Sequence, residues 1–275
     1  MRTLKCPPGI AKRMALGIDS TLPLNSGTRI PVLGFGVWQL QPGTVTRKSV
    51  AEALKVGYRH IDTAKIYGNE ADVGEAVRAS GLHRSEVFVT TKVWNGDQGY
   101  ASTLAACEES LAKLDLGYID LYLIHWPVPG KGADTWRALE KLKAENKCRA
   151  IGVSNYMVRE LDEVARQSRT VPSADQIEFN PFHYLKDEEE RCKQAGVVLE
   201  AYSPLSRGQA LGNPKLRAVA AKVGRSPAQV MLRWGLQHGA VVLPRSSKPE
   251  HIRENAQVFD FELQREAMAA LDALS

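Results

Sequence analysis

A single parallel (β/α)8 barrel, an α/β TIM barrel opened by an N-terminal β-hairpin and followed by an extra C-terminal helix, is the fold this sequence predicts. Three observations lead there. Eight short runs of β-prone residues recur along the 275-residue chain, each apolar enough for a strand buried on both faces. A helical stretch of about 10–16 residues follows each run. The length suits one barrel of roughly 250 residues. The competing doubly wound sheet needs a glycine-rich fingerprint after its first strand, where this chain reads LGFGVWQ (33–39). A Walker loop is absent too.

After the hairpin, strands are expected at Val32–Gly36, Tyr58–Asp62, Val87–Lys92, Ile119–His125, Ala150–Ser154, Ala174–Glu178, Val197–Tyr202 and Val241–Pro244. Between them, Val45–Val56 and Ala101–Leu114 repeat small and apolar residues at spacings of three and four. Asn69 is placed to cap a helix that ends near Gly81. Asp134–Asn146, Met157–Ser168, Lys186–Ala195, Pro214–Val223 and Pro249–Val258 complete the helical ring. Pro227 opens a further apolar stretch to Gln237, and Glu262–Leu274 reads as the last amphipathic helix. Residues 1–14 read as an extension outside the fold, disordered or the result of a start codon placed upstream of Met14, and 15–275 as one barrel domain.

Composition narrows the function classes. Apolar residues make up 44% and charged residues 24%, as in ordinary globular chains. The net charge of +5 is spread along the length, so it does not call for nucleic acid but suits a local site for a phosphorylated ligand. No run approaches the 18 or so apolar residues of a membrane span. Cys6, Cys107, Cys148 and Cys192 form no C-x-x-C pair, which argues against a disulfide framework or structural zinc and for a reducing cytoplasm. The N-terminus has basic residues but no apolar core of a signal peptide.

In a barrel of this kind chemistry is built where strands end. The second strand ends at Asp62, followed by Tyr67; the third ends at Lys92; the fourth ends at His125. A lysine at the end of a buried strand needs a charge partner, which Asp62 on the neighbouring strand supplies. A cation near Tyr67 is expected to lower the phenol below its usual value of about 10, fitting it as a general acid. His125 is placed to hydrogen-bond a carbonyl oxygen. Singly, each is as readily structural. Four on three consecutive units point to one catalytic rim.

The chain resembles the aldo-keto reductases from about Ser20 to Leu274. The resemblance rests on LGFGVWQL (33–40), GYRHIDTAKIYGNEADVGEAV (57–77), TTKVWN (90–95), YIDLYLIHWP (118–127), AIGVSNY (150–156), QIEFNPF (176–182), AYSPL (201–205) and LPRSSKPEHIRENAQVFDF (243–261). It is most similar to short prokaryotic members such as the 2,5-diketo-D-gluconate reductases. The resemblance implies an NAD(P)H-dependent carbonyl reductase without a metal, acting on small aldehydes, α-dicarbonyls or keto-sugars. Tyr67 is then the proton donor, Asp62 and Lys92 tune it, His125 orients the carbonyl, and hydride comes from nicotinamide C4.

The same comparison implies cofactor contacts. Ser154, Asn155 and Gln176 match the residues that hold the carboxamide, and Tyr202 the ring that stacks on nicotinamide. The loop Ser203, Pro204, Leu205, Ser206 and Arg207 should cover the pyrophosphate, with Gly36, Trp38 and Asp62 on the facing rim. Arg245, Ser246, Ser247 and Lys248 lead into a helix opened by Pro249, an anion site on physical grounds alone. Glu254 and Asn255 follow on that helix. His251 stands where NADPH-preferring members usually carry arginine, and a mostly neutral imidazole grips a phosphate dianion less firmly. NADPH is therefore the expected cofactor, with NADH also used.

Trp38, Trp94 and Trp126, each just past a strand, form the expected apolar wall around Tyr67 and His125, with Tyr100 and Phe182 as secondary candidates. The loop after the fourth strand is short and the chain stops at Ser275, which implies an open pocket and a broad range of small carbonyl substrates. Nucleic-acid and membrane partners are not expected, and the family suggests a monomer. Two rival readings are a Schiff-base enzyme using Lys92, which its pairing with Asp62 opposes, and a cofactor-sensing subunit without activity.

Overall fold

The molecule is described by a computed structural model covering residues 16–275; the expected extension at 1–14 lies outside the described residues. Alternation of side chains along the strands sorts the apolar residues into two layers. Phe88, Leu121, Leu123, Ala150, Ala174, Val241 and Leu243 point into the barrel, where the hairpin adds Leu24 and Ile30. Their neighbours, among them Val89, Tyr122, Ile124, Ile151, Val153 and Ile177, point outward against the helices.

The chain opens with an antiparallel hairpin of β1 (Thr21–Pro23) and β2 (Arg29–Pro31). Then follow β3 (Phe35–Gly36), α1 (Thr44–Val56), β4 (His60–Asp62), α2 (Glu70–Ala79), β5 (Phe88–Val93), α3 (Tyr100–Leu114), β6 (Ile119–Ile124), α4 (Gly132–Ala144), β7 (Cys148–Ser154), α5 (Val158–Gln167), β8 (Ala174–Glu178), α6 (Lys186–Ala195), β9 (Val198–Tyr202), α7 (Pro214–Val223), α8 (Pro227–Gln237), β10 (Val241–Val242), α9 (Pro249–Ala256) and α10 (Arg265–Asp272). Strands β3 to β10 form one parallel sheet in sequence order. Its ends meet: Val242 N donates to Val32 O at 2.9 Å, Gly34 N to Val242 O at 2.9 Å and Gly36 N to Pro244 O at 3.0 Å, which closes the ring. The expected β/α alternation, hairpin and final helix are all present.

Element boundaries shift by one to three residues where strand or helix gives way to a loop. Asn69 holds the N-cap position of α2 but makes no side-chain cap bond. Its amide instead accepts from Thr63 Oγ1 at 2.8 Å and donates to Val37 O at 3.0 Å, because those groups are buried beside it and need partners. Ser226 does cap α8, with Gln229 reciprocating. Among the described residues no helix is long and apolar enough to cross a membrane.

One glycine fixes how two outer helices meet. A Cβ on Gly74, inside α2, would lie 1.9 Å from the carbonyl oxygen of Leu114 at the end of α3. Alanine normally strengthens a helix by about 0.5–1 kcal/mol over glycine. Here Gly74→Ala should destabilise by about 1–3 kcal/mol, because backbone must move. A lower urea midpoint is the expected result, and a raised one would show that propensity outweighs packing.

Candidate active site

The site is assembled by the register of neighbouring strands. Asp62 on β4 lies opposite Thr90 on β5, so Lys92 sits two residues further along with its side chain on the same interior face. Lys92 is fully buried. Its ammonium donates to Asp62 Oδ1, Asp62 Oδ2 and Thr63 O, each at 2.8 Å, which uses all three N–H groups. Burial alone would lower the Lys92 pKa, but the Asp62 carboxylate outweighs it and the net direction is upward. Lys92 is therefore a committed ammonium without the lone pair a Schiff base requires.

Tyr67 is delivered by a single 3-10 turn, Lys65–Tyr67, that ends on Gly68 in the left-handed region (φ 70°). The Asn69 amide, bonded to both Thr63 and Val37, ties this turn to the rim beside β3. Lys92 Nζ lies 5.2 Å from the centre of the Tyr67 ring. The expectation of a lowered phenol pKa is corrected by the structure. Burial raises the Tyr67 pKa, Lys92 opposes, Asp62 adds to the rise, and the net direction is upward. Tyr67 is thus a protonated phenol at neutral pH.

His125 follows β6 and packs edge-on to Tyr67 (5.6 Å between ring centres) and to Trp94 (5.3 Å). Burial, aided by the charge on Lys92, pushes its pKa down to about 3, so the ring is neutral. Its Nδ1 is buried without a partner, which is tolerated better as a lone pair than as an N–H and assigns the proton to Nε2. The neutral ring therefore carries one N–H donor, packed beside the Tyr67 ring.

The other predicted residues fall around this centre. Gln176 on β8 commits its amide nitrogen to Asp62 Oδ2 at 2.8 Å, leaving Oε1 as its free polar atom. Ser154 Oγ donates to Gln176 O at 2.7 Å. Asn155, in the left-handed region (φ 62°), donates to His125 O and Ser154 Oγ and accepts from Tyr202 OH at 2.8 Å. These bonds brace the ends of β6, β7 and β9. Ser203, Ser206 and Arg207 are also left-handed, a strain concentrated in the loop where a ligand was expected. Buried Pro204 and half-buried Leu205 anchor that loop. Arg207 reaches back across the rim, 5.3 Å from the Trp38 ring and 3.9 Å from Glu178.

At the far end Arg245 donates to Gln39 Oε1 at 3.0 Å, and buried Ser246 accepts from Lys248 N at 3.1 Å. Ser247, Lys248 and His251 are exposed, Glu254 is half-buried and Asn255 is buried. Among the described residues neither Arg245 nor Lys248 has a carboxylate within salt-bridge distance, so both cations at the start of α9 are available to an anion. Gly36 belongs to the barrel seam, where a Cβ would stand 3.3 Å from Leu243 O. Trp38 and Trp126 are 39% and 42% exposed, and Trp94 is half-buried against His125. Tyr100 opens α3 under Arg137, while Phe182 packs against the outer core.

Sequence reasoning passed over four residues in this part of the barrel and read a fifth, Asn69, only as a helix cap: Thr63, which with Asn69 positions Tyr67; Asn180, which donates to Ser203 O at 3.2 Å; and Glu200 and His60 beneath the ion pair. Counting by twos back from Asp62 and Tyr202 would have found His60 and Glu200 on the interior face.

A model of the aldo/keto reductase family matches residues 32–275. A glyoxal reductase of Bacillus subtilis is 50% identical, with 95% of each chain covered. A 9,11-endoperoxide prostaglandin H2 reductase of Trypanosoma cruzi is 49% identical over 92% of this chain and 90% of its own. A crystal structure of an aldo/keto reductase from Brucella melitensis superposes with a TM-score of 0.90 at 44% identity, covering 93% of this chain and 99% of that one.

The neutral histidines have a consequence for acid stability. His125 is held at about 3 in the folded chain, against about 6.5 when unfolded. The unfolded chain binds the extra proton between those values, so stability is complete above the higher one and is lost as pH falls towards the lower. In that window the unfolding free energy should fall more steeply than in His125→Gln, by about 1.4 kcal/mol per pH unit. Urea midpoints across the window measure the difference; parallel curves would show that His125 is not the group protonated.

Proposed function

The chain belongs to the aldo/keto reductase family, and from that premise we propose that it reduces small aldehydes, α-dicarbonyls and keto-sugars to alcohols with NADPH, Tyr67 giving the proton. The observation that carries this reading is the buried Lys92–Asp62 pair, with the Lys92 ammonium 5.2 Å from the Tyr67 ring and neutral His125 beside it. The family uses nicotinamide cofactors, and this chain has suitable groups. Arg245 and Lys248 suit phosphate, the Tyr202 ring suits stacking on a flat heterocycle, and Gln176 Oε1 suits an amide.

Bound reduced nicotinamide supplies a hydride to the carbonyl carbon. His125 Nε2–H donates to the carbonyl oxygen and orients it. As negative charge develops on that oxygen, Tyr67 transfers its phenolic proton to it. The Lys92 ammonium then stabilises the phenolate, and Asp62 keeps that ammonium in place. Exposed Trp38 and Trp126 leave the mouth open, which supports a broad substrate range. The relative named for glyoxal favours α-dicarbonyls; the one named for an endoperoxide makes a peroxide worth including. His251 supports some use of NADH. Buried free thiols at Cys107, Cys148 and Cys192 suit a reducing cytoplasm, where we place the protein as a monomer.

Absorbance at the nicotinamide band tests the reading, with NADPH and NADH offered in parallel against methylglyoxal, an aromatic aldehyde, a keto-sugar acid and an organic peroxide. Tyr67→Phe should lower kcat by about 10²–10⁴-fold while still binding NADPH, followed by tryptophan fluorescence. Full turnover in that variant would rule Tyr67 out as the proton donor. His251→Arg should raise the preference for NADPH over NADH in kcat/KM by about tenfold, the worth of one charge-assisted hydrogen bond. An unchanged ratio would remove His251 from the phosphate site.

A further inference from the structure

Below the Asp62–Lys92 pair lies a second carboxyl that the reaction as described leaves unused. Glu200 on β9 is fully buried inside the barrel. The amide nitrogen of Gln176 stands between two carboxyl groups, 2.8 Å from Asp62 Oδ2 and 3.3 Å from Glu200 Oε2. An NH2 group has two hydrogens, so it can serve both. Glu200 Oε1 has no hydrogen-bond partner and lies 3.8 Å from His60 Nε2, which is itself 3.0 Å from Thr90 Oγ1. A continuous line of polar contacts therefore runs inward from the rim through Lys92, Asp62 and Gln176 to Glu200.

The groups facing Glu200 leave it without a cation of its own. Lys92 on β5 has spent its three donors on Asp62 and Thr63. His60 on β4 is neutral, its pKa pushed down to about 3 by burial and by Lys92. Asp62, also on β4, is an anion that repels. On β8, Gln176 is uncharged, and Asp175 on the outer face of that strand is a buried carboxyl raised well above its usual range. On β10 the residue paired with Glu200 is Val241. Burial and the Asp62 charge push the Glu200 carboxyl up to about 8, against the weaker pull of Lys92 and Gln176.

Resting on the reductase reading above, we propose that Glu200 is a positioning residue for proton transfer, acting through Gln176, Asp62 and Lys92 on the acidity of Tyr67. With Glu200 protonated, the charges of Lys92, Asp62 and Glu200 sum to zero. Loss of its proton adds a negative charge that no cation in contact offsets. That charge favours phenol over phenolate at Tyr67 and weakens the acid that must protonate the substrate oxygen. Carbonyl reduction should therefore slow as pH rises through the Glu200 titration.

The pH dependence of kcat for methylglyoxal reduction by NADPH tests this. In the unaltered protein kcat should fall by about three- to tenfold through a step centred near 8. Glu200→Gln can still accept from Gln176 but cannot ionise, so the step should vanish from kcat. Asp175→Asn should keep it. A step that persists unshifted in Glu200→Gln, or no step in the unaltered protein, overturns the proposal. A measurement that does not depend on the Glu200 variant folding is infrared titration of the Asp175→Asn protein. The carbonyl stretch of a protonated carboxyl should disappear with the midpoint of the kcat step, and a mismatch overturns the proposal equally. Absence of carbonyl-dependent NADPH oxidation at every pH would instead fail the reductase reading, and this inference with it.

Discussion

An ammonium ion inside a protein must be matched by charge and by acceptors for all of its protons. Lys92 meets that demand with both oxygens of Asp62 and the carbonyl of Thr63. Much of the rim follows from those three bonds. They hold β4 and β5 in a register that puts both residues on the interior face. The bond to Thr63 fixes the start of the segment that swings Tyr67 over the ammonium. Removing one partner would leave a buried charge uncompensated, at a cost of about 3–5 kcal/mol.

That fixed charge sets the ionisation of its neighbours. His125 and His60 are neutral because burial and the Lys92 charge act in the same direction. At Tyr67 burial and the cation act in opposite directions, and burial prevails. The rim therefore presents two uncharged proton donors, a phenol and an imidazole N–H, above one ammonium. This distribution suits a reaction in which negative charge appears on an oxygen at the rim and must be met by groups already in position.

The opposite side of the rim is held differently. Asn155, Ser203, Ser206 and Arg207 take a left-handed backbone that non-glycine residues avoid. The Asn155 bonds to His125, Ser154 and Tyr202 and the Asn180 bond to Ser203 outweigh that local cost. The end of β9 and the loop after it are thus held by side chains from two other strand ends, Asn155 after β7 and Asn180 after β8. Its Arg207 lies against Trp38, so the expected cofactor side and the expected substrate wall meet at one contact.

The alternation of strands and helices was legible in the chain because each element's pattern is local, a period of two or of 3.6 residues. Asp62, Lys92 and His125 were legible for a related reason, since each is the ionisable residue that closes an expected strand. Other features were decided only by the tertiary structure. The closing seam joins Val32–Gly36 to Val242–Pro244, about 200 residues apart in sequence. Asn69 reads as a helix cap, yet its amide serves Thr63 and Val37, which only the folded rim brings to it. The direction of the Tyr67 shift and the place of Glu200 depend on how much water is excluded and which charges stand nearby. Those quantities sum over residues from many strands, so no local stretch of sequence contains them.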